Sequence, residues 1–268
     1  MSDGLEIPIS HRNRLWLYLL CGIVMLLLMA PSLIIIPMSF SDSEFLEFPP
    51  PAWSFRWYQK FMESVEWRDA ALVSLKAAIL TMCLATPLGT AAAYALHAGQ
   101  FRFAHLVQTI LAVPLIIPVI LIGIGDFFLY AWLGMNNTIF GLVLAHTVLA
   151  IPLVSLTVAS GLKSYDMNQE MVARSLGASR LKSFLVITVP QIRFSIVSGA
   201  LFAFITSFDE AVIALFISGG ENSTLTRRMF NALRDQVDPT IAAISTFLVC
   251  LSILMLLLVQ FFGQRRTR

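Results

Sequence analysis

Long apolar runs, separated by short polar segments, dominate the pattern of the chain. They extend over Leu15 to Phe40, Ala70 to Leu96, Leu106 to Trp132, Thr138 to Ala159, Phe194 to Ser218 and Ile241 to Phe262. As a helix, each is long enough to cross about 30 Å of hydrocarbon. The first is too long for the core of a signal peptide and lacks a small-x-small cleavage site, so it reads as a retained helix. Pro31, Pro87, Pro114, Pro118 and Pro152 interrupt the runs. Such prolines are tolerated where neighbouring helices re-satisfy the freed carbonyls. Pro114 and Pro118 are close enough to bend or break the third helix. The pattern predicts an all-α, polytopic membrane protein with six transmembrane helices.

The polar segments supply the orientation. With the N-terminus inside, eleven of the 18 Lys and Arg fall on the cytoplasmic side, among them Lys163, Arg174, Arg180, Lys182 and Arg193. Six fall outside: Arg56, Lys60, Arg68, Arg227, Arg228 and Arg234. That asymmetry places both termini in the cytoplasm. Residues 1–14 then form a cytoplasmic N-terminus, 15–262 the transmembrane domain and 263–268 a basic tail. The first outer loop, Ser41 to Asp69, carries three consecutive prolines and then Trp53, Trp57, Tyr58 and Trp67. An aromatic helix lying at the membrane interface fits this stretch, as an anchor or as a contact for a delivered protein. In the outer loop Gly219 to Pro239, Asn222 and Ser223 can start a short helix through Arg227 and Arg228.

Composition agrees: 57% of residues are hydrophobic and 13% charged, against about half and a quarter in a soluble domain. Cys21, Cys83 and Cys250 lie inside apolar runs without metal-ligand spacing, and read as small buried hydrophobes. No GxSxG, HExxH or CxxC motif is present. GASRLKS, at Gly177 to Ser183, lacks the second glycine of a phosphate loop, so the chain has no ATPase site of its own.

One long basic segment remains, Glu170 to Pro190, EMVARSLGASRLKSFLVITVP. Its spacing is E-x2-A-x3-G-x9-I-x2-P. On a helix, Glu170, Ala173 and Gly177 share one face, with small side chains that allow close packing. The segment resembles the EAA loop of permease subunits of binding-protein-dependent ABC importers, with one departure in Val189, where Leu is more usual. The resemblance implies the type I importer permease fold, with residues 161–193 as a cytoplasmic coupling loop. It implies that Glu170, Ala173, Arg174 and Gly177 meet an ATPase subunit. The implied partners are two ATPase subunits that hydrolyse ATP, a second and different permease chain, an extracytoplasmic solute-binding protein and the lipid of a bacterial inner membrane. Cofactors, metal ions and nucleic acid are not expected for this chain.

Ionisable residues inside the spans are costly and commonly face a cavity or a partner. Lys76, Asp126, His146 and Asp209 are expected at similar depth in the outer half, around a shared polar cavity. Ser195, Gly199, Phe202, Thr206 and Asp209 mark one face of the fifth helix, and Ala200, Ala203, Ser207 and Glu210 a small-residue face beside it. Asp209 is read either as a substrate contact or as the ion-pair partner of Lys76. The stretch SFDEAVIALFISGG is similar to the spermidine/putrescine permease C subunit group, whose path acids are implicated in holding cationic amines. That similarity implies a substrate path past Asp209 and Glu210, to which the face of the fifth helix adds Thr206 and the shared depth adds His146. Val119, after Pro118, departs from the acid common there, so the expected substrate is a polyamine or another small organic solute. A secondary transporter or a membrane-embedded enzyme using the same acids is the alternative. The first would favour inverted repeats and the second a catalytic motif, and neither is visible.

Overall fold

The computed structural model describes residues 15–99, 102–235 and 238–264. The predicted N-terminal segment 1–14 lies outside them, as does the basic tail beyond Gln264. The described residues are almost entirely helical, with one isolated antiparallel bridge, Ser41 to Trp53. Contacts divide the chain into two units.

The first unit contains α1 (Leu15–Ser39), the loop after it and the first residues of α12 (Thr240–Gln264). Almost all of α1 is exposed apolar surface, as expected of a helix whose solvent is lipid. Its end is tied down: Ser39 Oγ and Tyr58 Oη lie 2.8 Å apart, and Phe40, Phe55 and Tyr58 pack together. Tyr58 belongs to α2 (Arg56–Glu63), shorter than the aromatic helix expected from Trp53 to Trp67. Trp53 lies outside α2 and is exposed, whereas Trp57 is buried beneath Arg56 and Lys60. The Lys60 ammonium sits 3.1 Å from Asp238. Burial works to raise the Asp238 carboxyl, but hydrogen bonds from Thr240 and Lys60 and the charge of Lys60 outweigh it and hold it below the usual carboxylate range.

The second unit is built on α3 (Val65–Ala98), α6 (Ile139–Leu162) and α9 (Val189–Asp209), which pack on one another. Glycine lets them approach: a Cβ on Gly89 of α3 would lie 2.6 Å from Val154 Cβ of α6, and one on Gly199 of α9 would lie 3.2 Å from Val154 Cγ1. Caps define the helix starts, with Ser64 accepting from Trp67 N–H and Thr138 from Gly141 N–H. The third apolar run is two helices, α4 (Ala104–Ile116) and α5 (Val119–Leu133), bent by 98°. Pro118 stands just before α5, where it lacks the N–H that a continuous helix would need. The fifth run also differs from its expected bounds. A continuous helix covers Arg180–Asp209, and Glu210 and Ala211 separate it from α10 (Val212–Ile217). After a single turn at Gly220–Asn222 comes α11 (Leu225–Asp235), close to the predicted short helix. Among the described residues, five helices are long and apolar enough to cross a membrane, or six if the bent α4–α5 pair is one span. The three cysteines are exposed along these apolar helices rather than buried.

Candidate functional site

The segment between α6 and α9 folds as α7 (Asn168–Ser175), a turn, α8 (Arg180–Ser183) and a π-helical turn, Phe184–Thr188, that leads into α9. Helix α7 stops before Gly177, so the single helical face expected for Glu170, Ala173 and Gly177 does not extend to the glycine. Gly177 has φ +91. Its N–H donates to the Arg174 carbonyl (3.0 Å), and Ala178 N–H donates to Ala173 (3.1 Å). This is a Schellman cap, which requires a left-handed residue at the position of Gly177. Within the chain, no atom lies within 4 Å of a Cβ built on Gly177, so the glycine serves the turn and not packing against another helix of this chain.

Glu170 points inward. It is 2% exposed. Its Oε1 accepts from the Tyr94 hydroxyl of α3, and its Oε2 lies 2.9 Å from Thr188 Oγ1, which is itself 3.1 Å from Tyr165 Oη. Arg174 and the apolar Met171, Val172, Leu176 and Leu181 are exposed instead. Tyr94 and Thr188 were not distinguishable in the sequence, because their polar groups sit in otherwise apolar helical stretches, and Tyr165 lies in a polar loop whose fold brings it to Thr188.

The intramembrane residues divide into separate environments. His146 of α6 is 1% exposed. Its Nδ1 is 2.8 Å from Ser207 Oγ, and Thr81 Oγ1 is 3.3 Å beyond. His146 Nε2 lies 3.6 Å from Glu210 Oε2, too far for a hydrogen bond and close enough for an ion pair when the ring is protonated. Glu210 also accepts from Ile213 N–H (2.9 Å) and Ala214 N–H (3.0 Å), capping α10 where the fifth run breaks. Its carbonyl accepts from the Thr226 hydroxyl of α11 (2.8 Å). Asp126 of α5 interacts electrostatically with His146 and Glu210, and its Oδ2 is buried without a hydrogen-bond partner. Ser207, His146 and Glu210 have the order of a nucleophile relay, but Ser207 is buried and has no visible access for a substrate.

Lys76 does not join this cluster and does not pair with Asp209. It lines a cavity of about 470 Å³ at the start of α3 with Glu66, Asp69, Glu221 and Arg228. Arg228 of α11 is ion-paired with Glu66 at the start of α3. Asp209 is exposed, with no hydrogen bond or ion pair among the described residues, and Thr206 is half-buried above it on α9. The shared cavity expected from sequence is therefore two environments, plus one free acid.

Residues 85–268 match the family described as binding-protein-dependent transport system inner membrane component. Putrescine transport system permease protein PotI of Escherichia coli strain K12 is 33% identical over 229 residues, 83% of this chain and 81% of that protein. Spermidine/putrescine transport system permease protein PotC of the same strain is 28% identical over 238 residues, 89% and 90% of the two chains. A chain of the bacterial alginate ABC transporter, solved with a periplasmic protein carrying an alginate pentasaccharide, shares the fold. Its TM-score is 0.69 at 15% identity, with 96% of each chain covered. The helical order, the intramembrane polar groups and these matches converge: the chain belongs to the family of binding-protein-dependent transport system inner membrane components, and is the permease component of an ABC importer.

Proposed function

We propose that this permease moves a polyamine or another small organic solute inward, one of two different permease chains enclosing the path. Two ATPase subunits dock from the cytoplasm and hydrolyse the ATP. Each meets one coupling segment, here the exposed face of α7 and α8 between residues 161 and 193. An extracytoplasmic binding protein delivers the solute, and both termini of this chain are cytoplasmic. The observation that carries the substrate reading is Asp209, an unpaired acid beside the Glu210–His146 pair, in a chain similar to putrescine and spermidine/putrescine permeases. Alternating access then needs ATPase closure to tilt the packed helices as rigid bodies.

Uptake of labelled putrescine and spermidine into cells with and without this chain tests the reading. Loss of uptake on deletion and its return on complementation are expected, and equal uptake in both strains would overturn it. Asp209→Asn should raise the half-saturating concentration about tenfold, through loss of a charge-assisted contact. Membrane abundance should not change, because no partner of Asp209 is left stranded.

A further inference from the structure

We infer that Glu170, Tyr94 and Thr188 form an internal clasp that fastens the coupling segment to α3 and α9. Glu170 holds the segment in place, and the surface offered to the ATPase is a different one. The inference rests on the docking proposed above and names the positioning residues that make docking productive.

Burying a carboxylate is costly unless hydrogen bonds replace its water. Both oxygens of Glu170 are so replaced, one by Tyr94 and one by Thr188. Those partners lie 76 and 18 residues away in sequence, one on α3 and the other at the end of the π-helical turn that leads into α9. Tyr94 is itself gripped. Its ring centroid lies 4.4 Å from that of Phe184, and the Arg180 guanidinium sits 5.9 Å from the Tyr94 ring. Thr188 is fully buried and ends the π-helical turn, a local widening that recurs at functional positions of helices. Meanwhile Val172 and Leu176 of the same short segment are 60% and 85% exposed. One side of the segment therefore grips the helices and the other is free to meet a partner. A displacement of α7 cannot leave α3 and α9 behind without breaking buried hydrogen bonds.

The test uses the assembled importer in proteoliposomes, reading ATPase co-purification and solute moved per ATP hydrolysed by each assembled complex. Tyr94→Phe keeps the ring and removes the hydroxyl. It should retain the ATPase subunits and ATP hydrolysis, while solute moved per ATP falls about tenfold. Glu170→Ala should behave alike. Glu170→Gln should restore the ratio, because its amide can accept from Tyr94 and donate to Thr188. Leu176→Glu, on the exposed face, should instead lose the ATPase subunits. An unchanged ratio in Tyr94→Phe overturns the clasp, as does Glu170→Gln being as damaged as Glu170→Ala, which would mean that the charge meets the ATPase. If Tyr94→Phe fails to assemble, Thr188→Val carries the same expectation, and an unchanged ratio there overturns the clasp. Retention of both ATPase and uptake in Leu176→Glu would overturn the docking face and leave the clasp to stand or fall on its own ratio.

Discussion

At residue scale, Gly177 separates two explanations of a coupling glycine. If it makes room for the ATPase, any side chain harms uptake in proportion to bulk. If it makes the turn, backbone tolerance decides. Its φ of +91 favours the turn. Gly177→Asn should therefore keep most uptake, since Asn visits left-handed conformations readily, whereas the β-branched Gly177→Val should lose it. Uptake alongside ATPase co-purification checks this, and equal damage from both would return the role to close packing. The sequence made Glu170 and Gly177 conspicuous because an acid and a glycine at set spacing are unusual in a basic helix. It did not reveal their directions. Glu170 turns inward because Tyr94, remote in sequence, offers a hydroxyl near the C-terminal end of α3. Lys76 and Asp209 looked like partners because depth along a helix can be counted, while rotation about it depends on packing.

At the scale of elements, spans were legible and breaks were only partly so. Hydrophobic length located the helices, and Pro118 announced the bend between α4 and α5. The break at Glu210 has no proline or glycine to mark it. Glu210 instead caps α10 with its own carboxylate, a role that needs the three-dimensional turn to be seen. The contact of Gly89 and Gly199 with Val154 is likewise tertiary. Gly89→Ala places a Cβ 2.6 Å from Val154 Cβ, an overpacking that costs roughly 1–3 kcal/mol. Membrane abundance should fall, and Val154→Ala should restore it in the double variant; additive losses would refute the contact. In the first unit, the depressed Asp238 carboxyl contributes stability that is present above its unfolded value and lost as pH falls through the folded one. Thermal melts in detergent should therefore show this group's contribution unchanged between pH 7 and 5, and a loss only below about pH 4. Lys60→Met should reduce that acid dependence and change stability by about 0–1 kcal/mol, since Lys60 is half exposed.

At the scale of the whole molecule, charge asymmetry and geometry can be set against each other. Helix α3 has 34 residues. Glu66, near its first turn, pairs with Arg228 of α11. Tyr94, near its last, holds Glu170 and lies under Arg180. At about 1.5 Å per residue these two anchor points are roughly 40 Å apart, more than the thickness of a hydrocarbon core. Arg228 and Arg180 must then lie on opposite sides of the membrane, whichever way the chain is inserted. In the orientation proposed above, the basic cluster around Lys163, Arg174, Arg180, Lys182 and Arg193 marks the cytoplasmic end. In a cysteine-free background, a cysteine at position 60 or 228 should react with a membrane-impermeant thiol reagent in intact cells. A cysteine at position 180 should react only after the membrane is opened. Labelling of 180 alone from outside would reverse the orientation and carry the coupling segment away from any cytoplasmic ATPase. Labelling of both 180 and 228 from outside would contradict α3 as a membrane-crossing helix, and with it the ruler on which the clasp and the cavity at the start of α3 are placed at opposite ends.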